Sequence, residues 1–569
     1  MEFLKSYNAV GHNLDDSQAF GRRMFQPDEL KKNEPLVWSV GTGMEVWEMF
    51  LAAMKGDLET VKRMVGKNPN IVRCHYAYRT PLYFAVRENR TDIAEFLLDH
   101  AADPIGLAVN DSLLEITRDR GYVEMEKLLE SKLFSLHAAS PKGELIALAI
   151  RERDLPKVRG MLDADPSLLH AGDARGNQPI HWVVMTRQIE LIDDLLGRGA
   201  DINARRQDGA RPIHLSNGDY SYRGWRDVPK ETTTTPAAVL DHLIARGAYL
   251  DIWTAAHLGN LDRVRELLDD DPSLANKVSE YNSYYLGCGS ALKNAAAKGH
   301  MQIVKLLLER GANPNLPEEG IAPRGHALYS AVAGKYYDIA KLLLEHGADP
   351  SAAVESSADC LSRAINHDDQ KMVDLLASYG ASRSVGIMAY YGDVRTAAAV
   401  FAANPALADD PEALENAAGQ GQELFIRLML RYRPDLPKRI AVGVRSNAPQ
   451  GPIKTRELTE LLFQHGMDSS RPNWLGITPL HRFAQNNDLD NAIIFIDHGA
   501  NLHTRDDDIC STPLGWAAKL GKIDMVDLLL SRGAKPNLSD DPEWATPLAW
   551  ATRRGHAQIV ELLNRHGAK

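Results

Sequence analysis

Side chains suited to chemistry are concentrated in three loops near the middle of the chain. These loops mix tyrosine and tryptophan with arginine, aspartate and glutamate, and they span residues 216–235, 279–289 and 318–326. A carboxylate buried beneath such a loop acquires a raised pKa and can then act as a general base. We therefore expect Asp219 or Glu319 to be the base if the protein is an enzyme. The candidate catalytic residues are Asp219, Tyr285, Lys293, Glu319 and His326.

The same loops offer flat rings and a planar cation that suit a ligand or a partner. Trp225 and Tyr285 would form walls, while the guanidinium of Arg226 would bind an anionic or carbonyl group. Further loop residues of the same kind are Tyr220, Tyr222, Tyr281, Tyr284 and Arg324. We expect residues 216–235 to form the principal binding region together with the other two loops. The alternative is a self-packed loop whose tyrosine and tryptophan side chains are buried against its own helices.

Length and composition exclude several classes of protein. The chain has 569 residues, well beyond the roughly 250–300 at which a single hydrophobic core stops growing, so it forms several domains or a solenoid. A formal charge of −11 disfavours binding to nucleic acid, and no apolar stretch reaches the length of a membrane span. The four cysteines are widely separated and the first twenty residues hold no apolar signal core, which indicates a cytoplasmic protein.

Sequence motifs for cofactors and metals are absent. The chain contains no GxGxxG, no GxxxxGK[ST], no GxSxG and no HExxH. We therefore expect neither a cofactor nor a bound metal.

Internal repetition is the dominant feature of the sequence. Segments that open with Thr-Pro-Leu close with Gly-Ala, and near the C-terminus these closing pairs recur every 34 residues. They are Gly499-Ala500, Gly533-Ala534 and Gly567-Ala568. The clearest opening is Thr-Pro-Leu-His at residues 478–481, followed by Ala484. Both the period and this phrase resemble the ankyrin repeat.

The resemblance covers residues from about 44 to 569 and implies an all-α solenoid. Its about sixteen helix–turn–helix repeats would be joined by short or lengthened β-hairpin-like fingers. We divide the chain into an N-terminal capping extension, a first block, a central block carrying the inserted loop 216–235, and a C-terminal block, at residues 1–43, 44–135, 143–435 and 436–569. We expect one continuous array, with residues 1–43 covering the first repeat.

In this fold the residue after the Thr-Pro-Leu-His position lies on the inner, concave face. Large side chains at that position are Trp182, Arg363, Arg482, Trp516 and Trp550. Exposing tryptophan is costly unless something covers it, so we expect these side chains to contact a partner. The alternative is that each ring turns sideways and fills the core between repeats. The histidines of the motif, such as His481, resemble the structural hydrogen-bonding residues of the family.

Ankyrin arrays are chiefly non-catalytic, so the resemblance implies a binding scaffold. Such a scaffold would present a concave groove rich in aromatic and arginine side chains, with its enlarged central fingers, to a protein partner. The alternative is an enzyme, or a binder of small molecules or carbohydrates, whose pocket is closed by residues 216–235. Whether the chain is catalytic stays open at this stage. We expect no nucleic-acid or membrane partner, and a monomer in preference to a homodimer.

Overall fold

Paired helices repeat along the computed structural model, which describes residues 24–36, 39–104, 111–206, 208–219, 221–279, 281, 285–316, 326–351, 353–354, 358–440 and 453–569. The first helices are α1 (Gly43–Lys55), α2 (Leu58–Lys67), α3 (Pro81–Arg87), α4 (Thr91–Asp99), α5 (Leu113–Arg120) and α6 (Val123–His137). Next come α7 (Pro141–Arg151), α8 (Leu155–Ala164), α9 (Pro179–Met185), α10 (Ile189–Gly197), α11 (Pro236–Ala245), α12 (Ile252–Leu258), α13 (Leu261–Asp270), α14 (Ala291–Lys298), α15 (Met301–Glu309), α16 (Ala327–Ala333) and α17 (Tyr337–Glu345).

The series continues in the same alternation toward the C-terminus. These helices are α18 (Cys360–Asn366), α19 (Gln370–Ser378), α20 (Val385–Tyr391), α21 (Val394–Ala403), α22 (Pro411–Gln420), α23 (Glu423–Tyr432), α24 (Arg456–Gln464), α25 (Pro479–Asn486), α26 (Leu489–Asp497), α27 (Pro513–Lys519), α28 (Ile523–Ser531), α29 (Pro547–Arg553) and α30 (Ala557–Arg565). A short antiparallel pair, β1 (Ala353–Val354) with β2 (Ala358–Asp359), precedes α18. The all-α ankyrin-type solenoid predicted from the sequence is confirmed.

Where the Thr-Pro-Leu motif occurs, it begins the inner helix for a local reason. In α29, Pro547 occupies the first turn, where its missing N–H costs nothing, and the Thr546 hydroxyl accepts a hydrogen bond from the Ala549 N–H (3.1 Å). Gly555 then takes the left-handed conformation (φ +71°) after the helix end. These two signals set the length of the inner helix.

The motif histidine joins one repeat to the next. His481 accepts the Thr478 N–H at Nδ1 (3.1 Å), and its Nε2 lies 3.0 Å from the Ser511 carbonyl of the following repeat. Burial lowers the pKa of His481 to about 3, so the ring is neutral and can donate and accept at once. The structural role expected for this histidine is therefore confirmed.

The first and last parts of the chain share one hydrophobic core. Trp474, in the loop between α24 and α25, packs between Phe50 of α1 (ring centroids 6.3 Å apart) and Phe84 of α3 (6.1 Å). The Phe25 N–H donates to the Trp474 carbonyl (3.0 Å). The array thus closes on itself, a contact that the sequence pattern did not predict.

The apolar cores divide the chain differently from the predicted blocks. One core joins residues 24–129 to 388–563, a second runs from 146 to 288, and a third from 252 to 376. The boundary near residue 380 lies inside the predicted central block. Residues 388–435 therefore pack with the terminal core.

The inserted loop replaces most of one inner helix. After Pro212 the chain makes only a 3-10 turn to Leu215, and regular helix resumes at Pro236 in α11. Gly218 is held at φ +90°, and a β-carbon there would come within 2.1 Å of the Tyr222 carbonyl oxygen. This close backbone approach folds the start of the insertion into a tight bend.

Candidate functional site

The inserted loop rests on a buried cluster centred on Arg206. The Arg206 guanidinium donates to Asp219 Oδ2 (3.0 Å), to the Asp208 carboxylate and to the hydroxyl of Tyr285. Tyr285 in turn donates to Asp208 Oδ2 (3.0 Å). Two predicted site residues, Asp219 and Tyr285, are thus brought together by an arginine that the sequence analysis did not select.

The expectation that the pKa of Asp219 is raised is wrong. Burial alone would raise it, but the guanidiniums of Arg175 and Arg206 outweigh burial and lower the pKa of Asp219. The carboxylate also accepts the N–H groups of Ser221 and Tyr222. Asp219 is therefore a stable anion that shapes the loop, and it is poorly suited to act as a general base near neutral pH.

Tyr281 belongs to a second buried cluster. Its ring stacks on His214 with 3.9 Å between centroids, and its hydroxyl lies 3.3 Å from Asp251 Oδ2. The same oxygen lies 3.1 Å from His214 Nε2. The tyrosine fastens the 279–289 loop to the motif histidine of the shortened helix.

Trp182 and Tyr222 cover each other. Their rings meet edge to face at 5.3 Å, and the Trp182 indole N–H donates to Asp173 Oδ2 (2.8 Å). Trp182 is only 7% exposed. The insertion is therefore packed against its own repeats through these rings, as the self-packed alternative describes.

The tip of the insertion remains accessible. Trp225 is 60% exposed, and the Arg223 guanidinium lies 5.2 Å from its ring centre. Arg226, predicted to bind an anion, instead pairs with Asp227 at 2.7 Å. Of the predicted loop walls, Trp225 is the ring that a partner can reach directly.

Other predicted residues are dispersed. Lys293 Nζ donates to the Cys288 carbonyl (3.1 Å), and His326, just before α16, has a buried Nδ1 without a hydrogen-bond partner among the described residues. The remaining predicted residues of these loops lie outside the described residues: Tyr220, Tyr284, Glu319 and Arg324.

The tryptophans predicted to line an open concave groove are internal. Trp516 is 3% exposed and donates to Asp506 Oδ2 (2.8 Å), while Trp550 is 1% exposed and donates to the Ser511 hydroxyl (2.8 Å). Arg482 lies over the Trp516 ring at 5.8 Å. These side chains fill the space where the C-terminal repeats meet the first block, so an open groove is absent there.

A buried ion pair holds the terminal blocks together. Asp508, in the finger between α26 and α27, pairs with Arg79 and accepts the Tyr83 hydroxyl at 2.7 Å. Arg87, fully buried in α3, donates to the Asp507 carbonyl (3.1 Å). Burial opposes ionisation of Asp508, yet Arg79 beside it holds the pKa of Asp508 below its usual range. This finger thereby occupies the concave face of the first block.

A narrow cleft, open to solvent, lies beside this ion pair. Charged residues of both signs and aromatic rings line it, among them Asp111, Asp119, Arg120, Trp516, Lys519, Trp544 and Trp550. Lys519 pairs with Asp111, and Arg554 pairs with Asp119 at 2.7 Å. These ion pairs cross the cleft, so they hold the C-terminal repeats against the first block.

The sequence analysis missed this contact because its partners are far apart in the chain. Tyr83 and Asp508 are separated by 425 residues. The local signals were an acidic run at residues 506–508 and two arginines, Arg79 just before the inner helix α3 and Arg87 at its end. Each is unremarkable alone, since charged runs usually face solvent.

Comparison with known proteins agrees with the fold. The family model for ankyrin repeats, in three copies, matches residues 49–129, 252–354, 453–540 and 511–569, which together make up more than half of the chain. The chain therefore belongs to the ankyrin-repeat family.

Individual relatives share only a segment with this chain. It is 39% identical over 169 residues to palmitoyltransferase ZDHHC13 of Mus musculus, covering 29% of this chain and 27% of the mouse protein. It is 40% identical over 65 residues to E3 ubiquitin-protein ligase XB3 of Oryza sativa subsp. japonica, covering 11% and 13%. It is 26% identical over 170 residues to palmitoyltransferase AKR1 of Lachancea kluyveri, covering 28% and 22%. The chain thus spans little more than a quarter of the relatives it matches, or less.

The described residues contain neither a candidate membrane span nor a candidate metal site. No helix in the described ranges is both long and apolar enough to cross a bilayer. Nor do three or more His, Cys, Asp or Glu side chains converge, in this part of the chain, on a point that could hold a metal ion.

Proposed function

We propose that this interaction scaffold receives its protein partner on the concave face of its central repeats. Ankyrin repeats mark a protein-interaction scaffold, and the proposal concerns which surface is used. The observation that supports it is the exposure kept by part of the concave column, which consists of the residue after each Thr-Pro-Leu-His position. Phe84, Trp516 and Trp550 are buried at the terminal contact, and Trp182 and Asn294 are buried as well, whereas Ser330 and Arg363 are only half-buried.

The central part of that column has the chemistry of a recognition surface. Arg363 has a buried Nε without a hydrogen-bond partner among the described residues, so a donor is available to a partner. Tyr390, on α20, is exposed, and Tyr391 lies edge to face against it at 5.0 Å. Tyrosine and arginine are the side chains that most often dominate binding energy at interfaces.

The alternative of a carboxylate-dependent enzyme beneath residues 216–235 is disfavoured. The best-placed carboxylate, Asp219, has a lowered pKa and four hydrogen-bonded or ionic neighbours. We also infer that the likeness to two palmitoyltransferases and an E3 ubiquitin-protein ligase extends to partner binding and not to their chemistry, since only a segment of each is matched.

The cytoplasm is the compartment we propose for this activity. All four cysteines are unpaired and buried, as suits a reducing environment. Burial also raises the pKa of Cys74 and Cys360 well above the ordinary value, so neither is a reactive thiolate.

Site-specific photo-crosslinking tests the proposed surface. A photoreactive amino acid at Ser330 or at Asn416, which is also half-buried in the column, should trap a partner when cell extract is irradiated. The same label at Lys305, exposed on the outer helix α15, is the matched control. We expect discrete adducts at 330 and 416, reduced at least tenfold by R363E. Equal adducts at Lys305, or insensitivity to R363E, would refute the proposal.

A further inference from the structure

Two consecutive repeats carry arginine where the backbone is left-handed. Arg153 (φ +59°) and Arg187 (φ +58°) are 34 residues apart and each is the second residue after an inner helix. The left-handed turn after an inner helix is made by glycine in some repeats, for example Gly259 and Gly299, and by a non-glycine residue in others, for example Lys335. Glycine adopts this conformation without steric cost, whereas arginine does not. The two arginines therefore occupy a backbone position that glycine would fit at least as well.

Neither arginine is neutralised by its surroundings. Arg153 Nη2 donates to the Thr186 carbonyl (2.5 Å), and Arg187 Nη2 donates to Asn217 Oδ1 (2.9 Å). No described carboxylate lies within ion-pair distance of either guanidinium. In both, Nε is buried and has no hydrogen-bond partner within the described ranges. Each cation therefore keeps an unused donor, which is unfavourable unless a ligand accepts from it.

A third arginine completes the cluster beneath the inserted loop. The Arg151 guanidinium lies 5.2 Å from the Trp182 ring centre and 5.9 Å from that of Tyr222. Arg151, Arg153 and Arg187 all act electrostatically on the Tyr222 phenol, and burial together with the charge on Arg153 lowers the pKa of Arg187. Arg153 and Arg187 are therefore close enough to repel each other, and Arg151 acts on the same phenol.

The inserted loop is shaped to admit one of these guanidiniums. A β-carbon at Gly224 would come within 2.8 Å of Arg187 Nη2 and within 2.9 Å of the Asn217 backbone. Asp227 pairs with Arg226, and Arg151 also acts electrostatically on its carboxylate. One carboxylate that already pairs with Arg226 does not balance three further guanidiniums, so a net positive charge remains for a ligand outside the chain.

We propose that Arg151, Arg153 and Arg187 form a binding site for a phosphate-class dianion beneath the inserted loop. Planar guanidinium forks match the tetrahedral oxygens of phosphate, and three of them suit a dianion better than a single carboxylate. The phosphate belongs either to a phosphorylated side chain of a partner or to a small phosphorylated solute. The site borders Trp182 of the concave column but contains neither Ser330 nor Arg363, so its test does not depend on the surface proposed above.

Isothermal titration calorimetry in phosphate-free buffer tests the site. The probes are inorganic phosphate, a Gly–phosphoserine–Gly peptide, its unphosphorylated form, and acetate. We expect inorganic phosphate to bind at one site and acetate at least tenfold more weakly. Binding of the phosphopeptide, but not its unphosphorylated form, assigns the phosphate to a partner, whereas binding of inorganic phosphate alone assigns it to a small solute.

The variant R153G/R187G separates binding from folding. Glycine is the residue that fits these backbone positions, so the variant keeps its circular dichroism while phosphate binding falls at least tenfold. The matched control is K335G, because Lys335 has the same left-handed position (φ +58°) in a distant repeat. Phosphate binding in K335G should stay within twofold of the parent protein. Undiminished binding by R153G/R187G, or no binding of either phosphate probe to the parent, would overturn the proposal.

Discussion

Replacing Asp508 with asparagine tests whether a buried charge network holds the terminal blocks together. The Asp508 carboxylate is almost fully buried, pairs with Arg79 and accepts the Tyr83 hydroxyl. The change D508N preserves the size of the side chain but leaves the buried guanidinium of Arg79 without its carboxylate. Any loss of stability therefore reports the charge and not the packing.

The expected cost is large because both partners are buried. Removing one member of a buried ion pair typically costs about 3–5 kcal/mol, whereas exposed pairs contribute about 0–1 kcal/mol. Glu48, which pairs with Arg63 on the surface of the same block, supplies the control E48Q. In the double variant R79M/D508N the unpaired guanidinium of Arg79 is gone, and Arg87, which also lies 3.8 Å from Asp508, keeps its ion pair with Glu88. The cost of the double variant should fall below the sum of the single variants by about 2 kcal/mol.

Urea unfolding followed by tryptophan fluorescence measures these free energies. Trp474, Trp516 and Trp550 lie at or beside the contact, so separation of the blocks changes their emission. Small-angle X-ray scattering should show a larger radius of gyration for D508N, because the ends of the array separate. A cost for D508N below about 1 kcal/mol, additive single variants, or an unchanged radius would refute the proposed role of the pair.

Three further predictions follow from burial and close contacts. His481 has a pKa of about 3 when folded and about 6.5 when unfolded, so protonation favours the unfolded chain. The contribution of this histidine to the free energy of unfolding should be complete above about pH 7 and should fall below pH 6.5 by up to about 1.4 kcal/mol per pH unit. Because burial also lowers the pKa of His181 and His257, H481Q should reduce the slope in urea titrations without removing it. G143A should lower the free energy of unfolding by about 1–3 kcal/mol, and with it the melting temperature, because its β-carbon would come within 2.0 Å of the Gly172 carbonyl oxygen. The matched variant G160A, whose β-carbon would meet no atom on α8, should raise the melting temperature slightly. Deleting residues up to 36 should lower the melting temperature, because buried side chains of residues 24–36 pack on α1; unchanged melting would contradict this.

Features encoded within one repeat could be predicted from the sequence. The Thr-Pro-Leu-His phrase carries its own cap and its own turn, so the helices and the bridging role of His481 followed from local spacing. The enlarged fingers also stood out, because 216–235 lengthens one repeat. The effect of the folded loop on the pKa of Asp219 could not be predicted from the sequence. The pKa of Asp219 is set by Arg175 and Arg206, which reach it only after folding.

Two other features could not be predicted from the spacing within a single repeat. The pair of Arg79 and Asp508 joins positions more than 400 residues apart, and periodicity within a repeat carries no signal for such a contact. Arg153 and Arg187 could have been selected by comparing the repeats of the sequence with one another. Aligning the repeats places arginine in two consecutive repeats at a left-handed position that glycine, asparagine, aspartate or lysine occupies in the others, but the loop that covers the two arginines is known only from the fold.

The closure of the array also has a consequence for how the protein is made. In an open solenoid each repeat depends only on its neighbours, so folding can follow synthesis from the N-terminus. Here Tyr83 cannot form its hydrogen bond until Asp508, 425 residues later, has been synthesised. At about 5–20 residues per second this takes about 20 to 85 s. During that interval the basic and aromatic concave face of the first block stays uncovered on the ribosome. The newborn chain therefore passes through a stage in which a molecular chaperone can bind a surface that the finished protein hides.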